Sequence, residues 1–327
     1  MIQPLELKEI HPIKLHASGV STTTEVWNTL SASFDGDVAR VAALVDSNPQ
    51  LVTCQYDYTS PLHLAVREGH VDLVRFLIER GALDPTYRTH PFLDSLLTVA
   101  GDRGFDEISQ LLRQALADSS LTREWGDTGA IDYEKGETQS RFQQLVNDRQ
   151  HDEVEAMLQD RPELALDETA FWGEGILAMP AKDGDHHMLE ILMDHGARCP
   201  DVSKWGARYY FKNYLTARFL LERGMNPNHM NWRGFTLLHD MAHTGDLPKA
   251  RLLIEHGADI NRVDDEYRST PLGYAARWGH VEIVKLLLDC GADPDESGAT
   301  WSKPLAWARK KSHDEVENLL QSPELQN

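Results

Sequence analysis

Ser60-Pro-Leu-His-Leu-Ala-Val-Arg-Glu-Gly-His70, continuing as VDLVRFLIERGA, returns twice further along the chain. One copy is Thr270-Pro-Leu-Gly-Tyr-Ala-Ala-Arg-Trp-Gly-His280, followed by VEIVKLLLDCGADP. The other is Thr236-Leu-Leu-His-Asp-Met-Ala-His-Thr-Gly-Asp246, followed by LPKARLLIEHGADIN. Each copy reads as two short helices. Leu62, Leu64 and Ala65 mark the first, and Val71, Val74, Leu77 and Ile78 fall at helical spacing on the second. Ser60 or Thr270 before Pro supplies an N-cap with proline at the first helical position. The glycine between the helices permits the left-handed turn that ends the first.

Taking that glycine as a ruler, equivalents fall at Gly36, Gly69, Gly104, Gln150, Gly184, Lys212, Gly245, Gly279 and Ser312. The intervals are 33, 35, 46, 34, 28, 33, 34 and 33, so six of the eight lie within two residues of 33. A helix pair this short cannot bury its own apolar face and needs neighbours. The period therefore predicts an array rather than a globule.

These residues resemble the ankyrin repeat, whose hallmarks stand here as SPLHLAVREGH and STPLGYAARWGHVEIVKLLLDCGADP. The resemblance covers about residues 22–321, strongly at 57–85 and 230–296 and weakly at 140–225. It implies an all-α ankyrin-type repeat solenoid, helix-turn-helix units with hairpin fingers, of about nine repeats including degenerate and capping units. The expected organisation is an extended arm at 1–21, repeats at 22–113, an insertion or hinge at 114–139 around Trp125, repeats with a capping unit at 140–321, and a tail at 322–327. The 28-residue interval predicts a finger lost near Pro200–Ser203. In the last unit Ser312 replaces glycine and the second helix turns polar, which suits a cap facing water.

Composition narrows the function. The 327 residues carry 32 Lys+Arg against 52 Asp+Glu, a formal charge of −20, which disfavours nucleic-acid or anionic-membrane binding by the surface as a whole. No apolar run approaches the ~18 residues of a membrane span. Cys54, Cys199 and Cys290 lie far apart, so a reducing, cytoplasmic setting is expected.

The resemblance implies a concave, protein-binding face lined by inner helices and finger tips. The two positions before each ruler residue hold seven Lys or Arg and four aromatics among eighteen, against 32 Lys+Arg in 327 for the chain. With the finger residues these define the expected partner-binding set: Trp172, Tyr210, Phe211, Trp232, Arg233, His243, Tyr267, Arg277, Trp278, Trp301 and Lys310. Trp232, Arg233, Tyr267, Arg277 and Trp278 form its expected centre. Trp, Tyr and Arg are the residue types most enriched in binding hot spots. The same aromatics would instead brace neighbouring fingers if they pack inward. The expected partner is a protein or peptide, with an acidic segment as one form, and no cofactor is implied.

Catalysis finds little support, with no phosphate-binding glycine loop, GxSxG elbow or CxxC pair. The competing class is an enzyme or small-molecule binder with a pocket among residues 172–278. Its sharpest motif is His239-Asp240-Met241-Ala242-His243, whose two imidazoles would share a helix face and a metal. However, His239 occupies the slot of His63, the resembled family's structural histidine. Single-stranded nucleic acid stacked on the aromatics is a third class. The acidic runs Asp264-Asp265-Glu266 and Asp293–Glu296 read as solvated finger tips.

Overall fold

The computed structural model describes residues 1–15, 19–124 and 135–322. The chain divides into two compact units, residues 5–134 and residues 1–4 with 135–327. The division falls within the expected insertion. Of that insertion, residues 114–117 belong to a helix, and Arg123 N–H donates to Leu83 O (3.0 Å) beside a Leu83–Thr122 bridge. Trp125, with the rest of 125–134, lies outside the described residues, as does tail segment 323–327.

The N-terminal unit holds three helix pairs: α1 (Thr23–Asp35) with α2 (Val38–Ser47), α3 (Pro61–Glu68) with α4 (Val71–Glu79), and α5 (Leu96–Arg103) with α6 (Asp106–Ala117). First helices pack on first helices, α1 on α3 on α5, and second helices follow, α2 on α4 on α6. The expected extended arm is instead folded. Strand β1 (Pro12–Lys14) pairs antiparallel with β2 (Val20–Thr22), and Leu7 and Ile13 are buried. Buried Glu6 accepts from the Tyr56 hydroxyl at 3.0 Å. The segment thus covers the apolar flank that the first pair would otherwise leave to water.

The C-terminal unit holds six pairs among the described residues. They are α7 (Glu137–Asn147) with α8 (His151–Asp160), α10 (Ala178–Asp183) with α11 (His186–Asp194), and α12 (Gly206–Tyr209) with α13 (Tyr214–Glu222). Then come α14 (Leu237–Thr244) with α15 (Leu247–Glu255), α16 (Pro271–Trp278) with α17 (Val281–Asp289), and α18 (Pro304–Lys311) with α19 (Asp314–Leu320). A single turn, α9 (Ala170–Gly173), stands in the finger before α10.

Caps explain why the helices begin and end where they do. Ser60, Thr236 and Thr270 each accept the backbone N–H three residues on, as their sequence predicts. At the junction between helices the left-handed residue is a glycine in most pairs. Gly245 (φ +74°) shows a second reason for it, since a Cβ there would lie 2.8 Å from His280 Nδ1. That imidazole spans two repeats, donating from Nε2 to His243 O at 2.8 Å. His313 does the same to Arg277 O (3.1 Å), and His70 to Phe34 O (2.8 Å) in the N-terminal unit. The stacking register is therefore written in hydrogen bonds as well as apolar burial.

Two details of the ruler change. Arg149 (φ +57°), not Gln150, takes the left-handed position, and Gln150 begins the next helix as its cap residue. The 28-residue interval does not delete a finger. Val202 still bridges Met230 of the following finger, and the shortening is shared between that finger and α12, four residues long where α14, α16 and α18 have eight.

Candidate partner-binding site

The C-terminal unit buries much of the expected stripe. Tyr210, Phe211, Trp232, Arg233, Tyr267 and Arg277 are all at most 5% exposed, so these six side chains are corrected from surface contacts to interior braces. For Trp232, Arg233 and Tyr267, which precede a first helix, the cause is finger spacing, since each slots between adjacent fingers instead of projecting. Arg277 and the Tyr210–Phe211 pair, at the ends of α16 and α12, turn into the stack. Arg233 Nη1 meets Glu266 Oε2 at 3.0 Å with both side chains buried. Arg277 lies 4.3 Å from the ring centroids of both Tyr267 and Trp307 and 4.9 Å from that of Trp278. A desolvated guanidinium held among aromatic faces is a strong cation–π arrangement. Tyr210 donates its hydroxyl to Glu174 O.

The acidic finger is likewise corrected, because Asp264 and Glu266 are buried rather than solvated. Asp264 accepts from the N–H groups of Glu266, Tyr267 and Ser269 and from the Tyr274 hydroxyl (2.7–3.1 Å). Burial pushes its carboxyl up to about 6, against the opposing pull of those donors. It organises the turn that seats Tyr267.

Trp172, His243, Trp278, Trp301 and Lys310 retain solvent access. Three of them follow one line. His243, Trp278 and Lys310 stand in the last turns of α14, α16 and α18, helices that pack in that order. The His243 ring sits edge-on to Trp278, with centroids 4.6 Å apart. Trp278 in turn stacks on buried Tyr274 (5.5 Å, 14°). The α18 end is basic through Arg309, Lys310 and Lys311, a placement the helix dipole favours. Lys311 Nζ lies 5.9 Å from the Trp307 ring. The result is an aromatic ledge beside cations, with its indole fixed from behind. Lys311 carries the same chemistry as Lys310, its sequence neighbour. Trp301 sits edge-on to Trp307 (5.7 Å), and Trp172 stands apart on the α9 turn.

The metal pair fails on geometry. His239 is fully buried, and both ring nitrogens are engaged: Nδ1 accepts from the Thr236 N–H (3.1 Å), and Nε2 faces Ser269 O at 3.1 Å. Burial holds it near pKa 4, so it is a neutral, structural imidazole. His243, one turn on, lies 3.9 Å from Asp240. No group of three or more metal-ligating side chains occurs among the described residues. Cys199 lines a cleft of about 400 Å³ with Met193, Arg198, Pro200, Arg223 and Met225, and burial pushes its thiol up, away from nucleophilic character. No helix among the described residues is long and apolar enough to cross a membrane.

Stacked helix pairs, αL junctions and finger hairpins define a helix-pair repeat protein. A family model for ankyrin repeats in three copies matches residues 204–297, and a single-repeat model matches 57–90. Residues 57–90 and 204–297 are therefore ankyrin repeats, a repeat that generally mediates protein–protein interaction. Similar proteins include mouse fem-1 homolog A-like (38% identical over 106 residues, 32% of this chain and 15% of that protein). The Drosophila melanogaster E3 ubiquitin-protein ligase Ufd4 is 40% identical over 103 residues, 31% of this chain and 4% of the ligase. The Neurospora crassa ankyrin repeat protein nuc-2 is 28% identical over 144 residues, 43% and 12% of the two chains. The chain thus spans only a small part of each relative.

Proposed function

We propose that this protein is a non-catalytic scaffold that binds a protein segment along the line of His243, Trp278, Lys310 and Lys311. The observation that carries the reading is the His243–Trp278 pair, 4.6 Å apart and still accessible, at the basic end of α18. An indole stacked from behind on Tyr274 has little rotamer freedom left to lose on binding. The cations beside it favour carboxylates of an acidic segment, through charge-assisted hydrogen bonds. The stripe of eleven residues thereby contracts to its accessible edge, and the buried six act by holding that edge still.

Capture of proteins from a cell extract by the full chain, against a folded Trp278→Ala/Lys310→Glu variant, tests this. A hot-spot tryptophan contributes 2 kcal/mol or more, so the variant should lose roughly thirty-fold or more in affinity for the captured protein. Equal capture by both proteins overturns the reading.

A further inference from the structure

The fifth finger carries a conformation that the repeat pattern does not require. Phe171 (φ +50°, ψ +53°) and Trp172 (φ +62°, ψ +34°) are consecutive left-handed residues, followed by Gly173 at φ +84°. Bulky side chains avoid this region, so the surroundings must impose it. Upstream, the Asp167 carboxylate gathers the Thr169 N–H and hydroxyl, Lys135 Nζ and Gln143 Nε2 within 3.2 Å. Downstream, Glu174 is buried and its Oε1 accepts the N–H groups of Lys204 and Trp205 (3.1 and 3.0 Å), tying the fifth finger to the sixth. Phe171 is 7% exposed and anchors the turn, whereas Trp172 is 64% exposed. Packing thus accounts for the first aromatic and leaves the second displayed.

The segment that Glu174 ties to this turn, running from the end of the sixth finger into α12, carries positive charge. Residues 204–212, KWGARYYFK, hold three Lys or Arg and no acid, in a chain where acids outnumber bases 52 to 32. Arg208 is exposed, with its guanidinium 5.6 Å from the half-buried Trp205 ring. Glu174, the acid beneath, is turned inward onto backbone N–H groups.

We propose that Trp172 on the fifth finger and the Lys204–Arg208 segment, where the sixth finger enters α12, form a second docking site, for a short acidic segment of a partner protein. An apolar side chain of that segment covers the Trp172 indole, and its carboxylates meet Arg208 in the field of Lys204. The strain is the cost of presenting the indole outward on a fixed backbone. Single-stranded nucleic acid shares the aromatic-and-cation chemistry, but the −20 chain repels a phosphate polymer as a whole.

Random short peptides displayed on phage and selected on the immobilised full chain supply the probe. Selected sequences should place Asp or Glu around one aromatic or aliphatic residue. Each should bind Trp172→Gly and Arg208→Glu about ten-fold or more weakly than wild type, as for loss of a hot spot, and bind Trp278→Ala as wild type does. Glycine relaxes the left-handed backbone, so Trp172→Gly should unfold at or above the wild-type midpoint while losing affinity, a combination that a merely structural tryptophan does not give. Selection without acidic enrichment, or unchanged binding by both the Trp172 and Arg208 variants, overturns the proposal. So does tighter binding of an oligothymidine than of the peptides. Loss in Trp278→Ala alone also overturns it and leaves the α14–α18 ledge as the binding surface.

Discussion

Replacing Arg233 with methionine tests whether the finger residues brace the array. Arg233 and Glu266 meet at 3.0 Å with side-chain exposures of 3% and 2%, so water screens neither charge. A solvent-exposed pair of this kind would contribute ~0–1 kcal/mol. Removing one member of a buried pair leaves the other charged and desolvated, at a cost of about 3–5 kcal/mol. For a unit of this size that corresponds to a fall of roughly 6–20 °C in midpoint, at ~2–4 °C per kcal/mol. Arg233→Met/Glu266→Leu removes both charges and should return to within about 1–2 kcal/mol of wild type. Repeat arrays can unfold in parts, so the cycle belongs in urea, with circular dichroism and tryptophan fluorescence compared point by point. Trp232, whose ring lies 5.6 Å from the Arg233 guanidinium, gives a local signal. If Arg233→Met costs under ~1 kcal/mol, as an exposed pair would, or if the two substitutions simply add, Arg233 is no brace and returns to the contact surface.

Three further outcomes are expected. Burial holds His229 and His239 at about 4 in the fold, whereas a histidine in the unfolded chain titrates near 6.5. The unfolded chain therefore binds more protons between those values, and stability present above pH 6.5 is lost as pH falls towards 4, by up to about 3 kcal/mol per histidine. Asp264, raised to about 6, works in the opposite sense, so Asp264→Asn should steepen the acid slope of the urea midpoint and His229→Asn should flatten it; slopes that do not respond refute the assignment. Gly245→Ala should cost about 2–3 kcal/mol, combining left-handed strain with displacement of the His280 bridge, while Gly257→Ala, with open space at its Cβ, should cost only the strain of about 1–2 kcal/mol; equal losses in urea titrations would count against the bridge. A disulfide reagent should modify exposed Cys290 rapidly and leave Cys54 and Cys199, whose thiols burial pushes up, until the chain unfolds; two fast thiols would contradict the packing around Cys199.

The helix pairs were legible because caps and apolar spacing are local. Ser60, Thr236 and Thr270 cap where their sequence says, and the glycine ruler finds most junctions. It slips at Gln150, because Arg149 adopts the left-handed turn with a side chain that carries no signal for it. The binding stripe was only half legible. Whether Tyr267 faces solvent or Arg277 depends on the distance between fingers that are adjacent in space and some thirty residues apart in sequence, and no one-dimensional period contains that distance. Asp264 and Glu266 show the same limit for charge. An acidic run resembles a solvated loop until a Tyr274 hydroxyl and an Arg233 guanidinium are found above it.

Regularity and display trade against each other along this chain. In the last three repeats the finger residues Trp232, Arg233 and Tyr267 lie inside, and the finger tryptophan Trp301 and Trp278, at the end of its first helix, are only half-buried. The fifth and sixth repeats break the pattern in length, in α12 and in the left-handed Phe171–Trp172 turn, and there the finger tryptophan turns outward. A stack that kept every finger regular would slot Trp172 between its neighbours as it does Trp232. Departure from the repeat is thus what leaves Trp172 largely exposed where Trp301 is only half-buried, and the buried Glu174 hydrogen bonds to the sixth finger are what keep it there. Glu174→Gln, which retains an acceptor and removes the charge, should hold that finger pair more loosely without unstacking α14, α16 and α18, because those helices pack through a separate set of side chains centred on Tyr274 and Trp307.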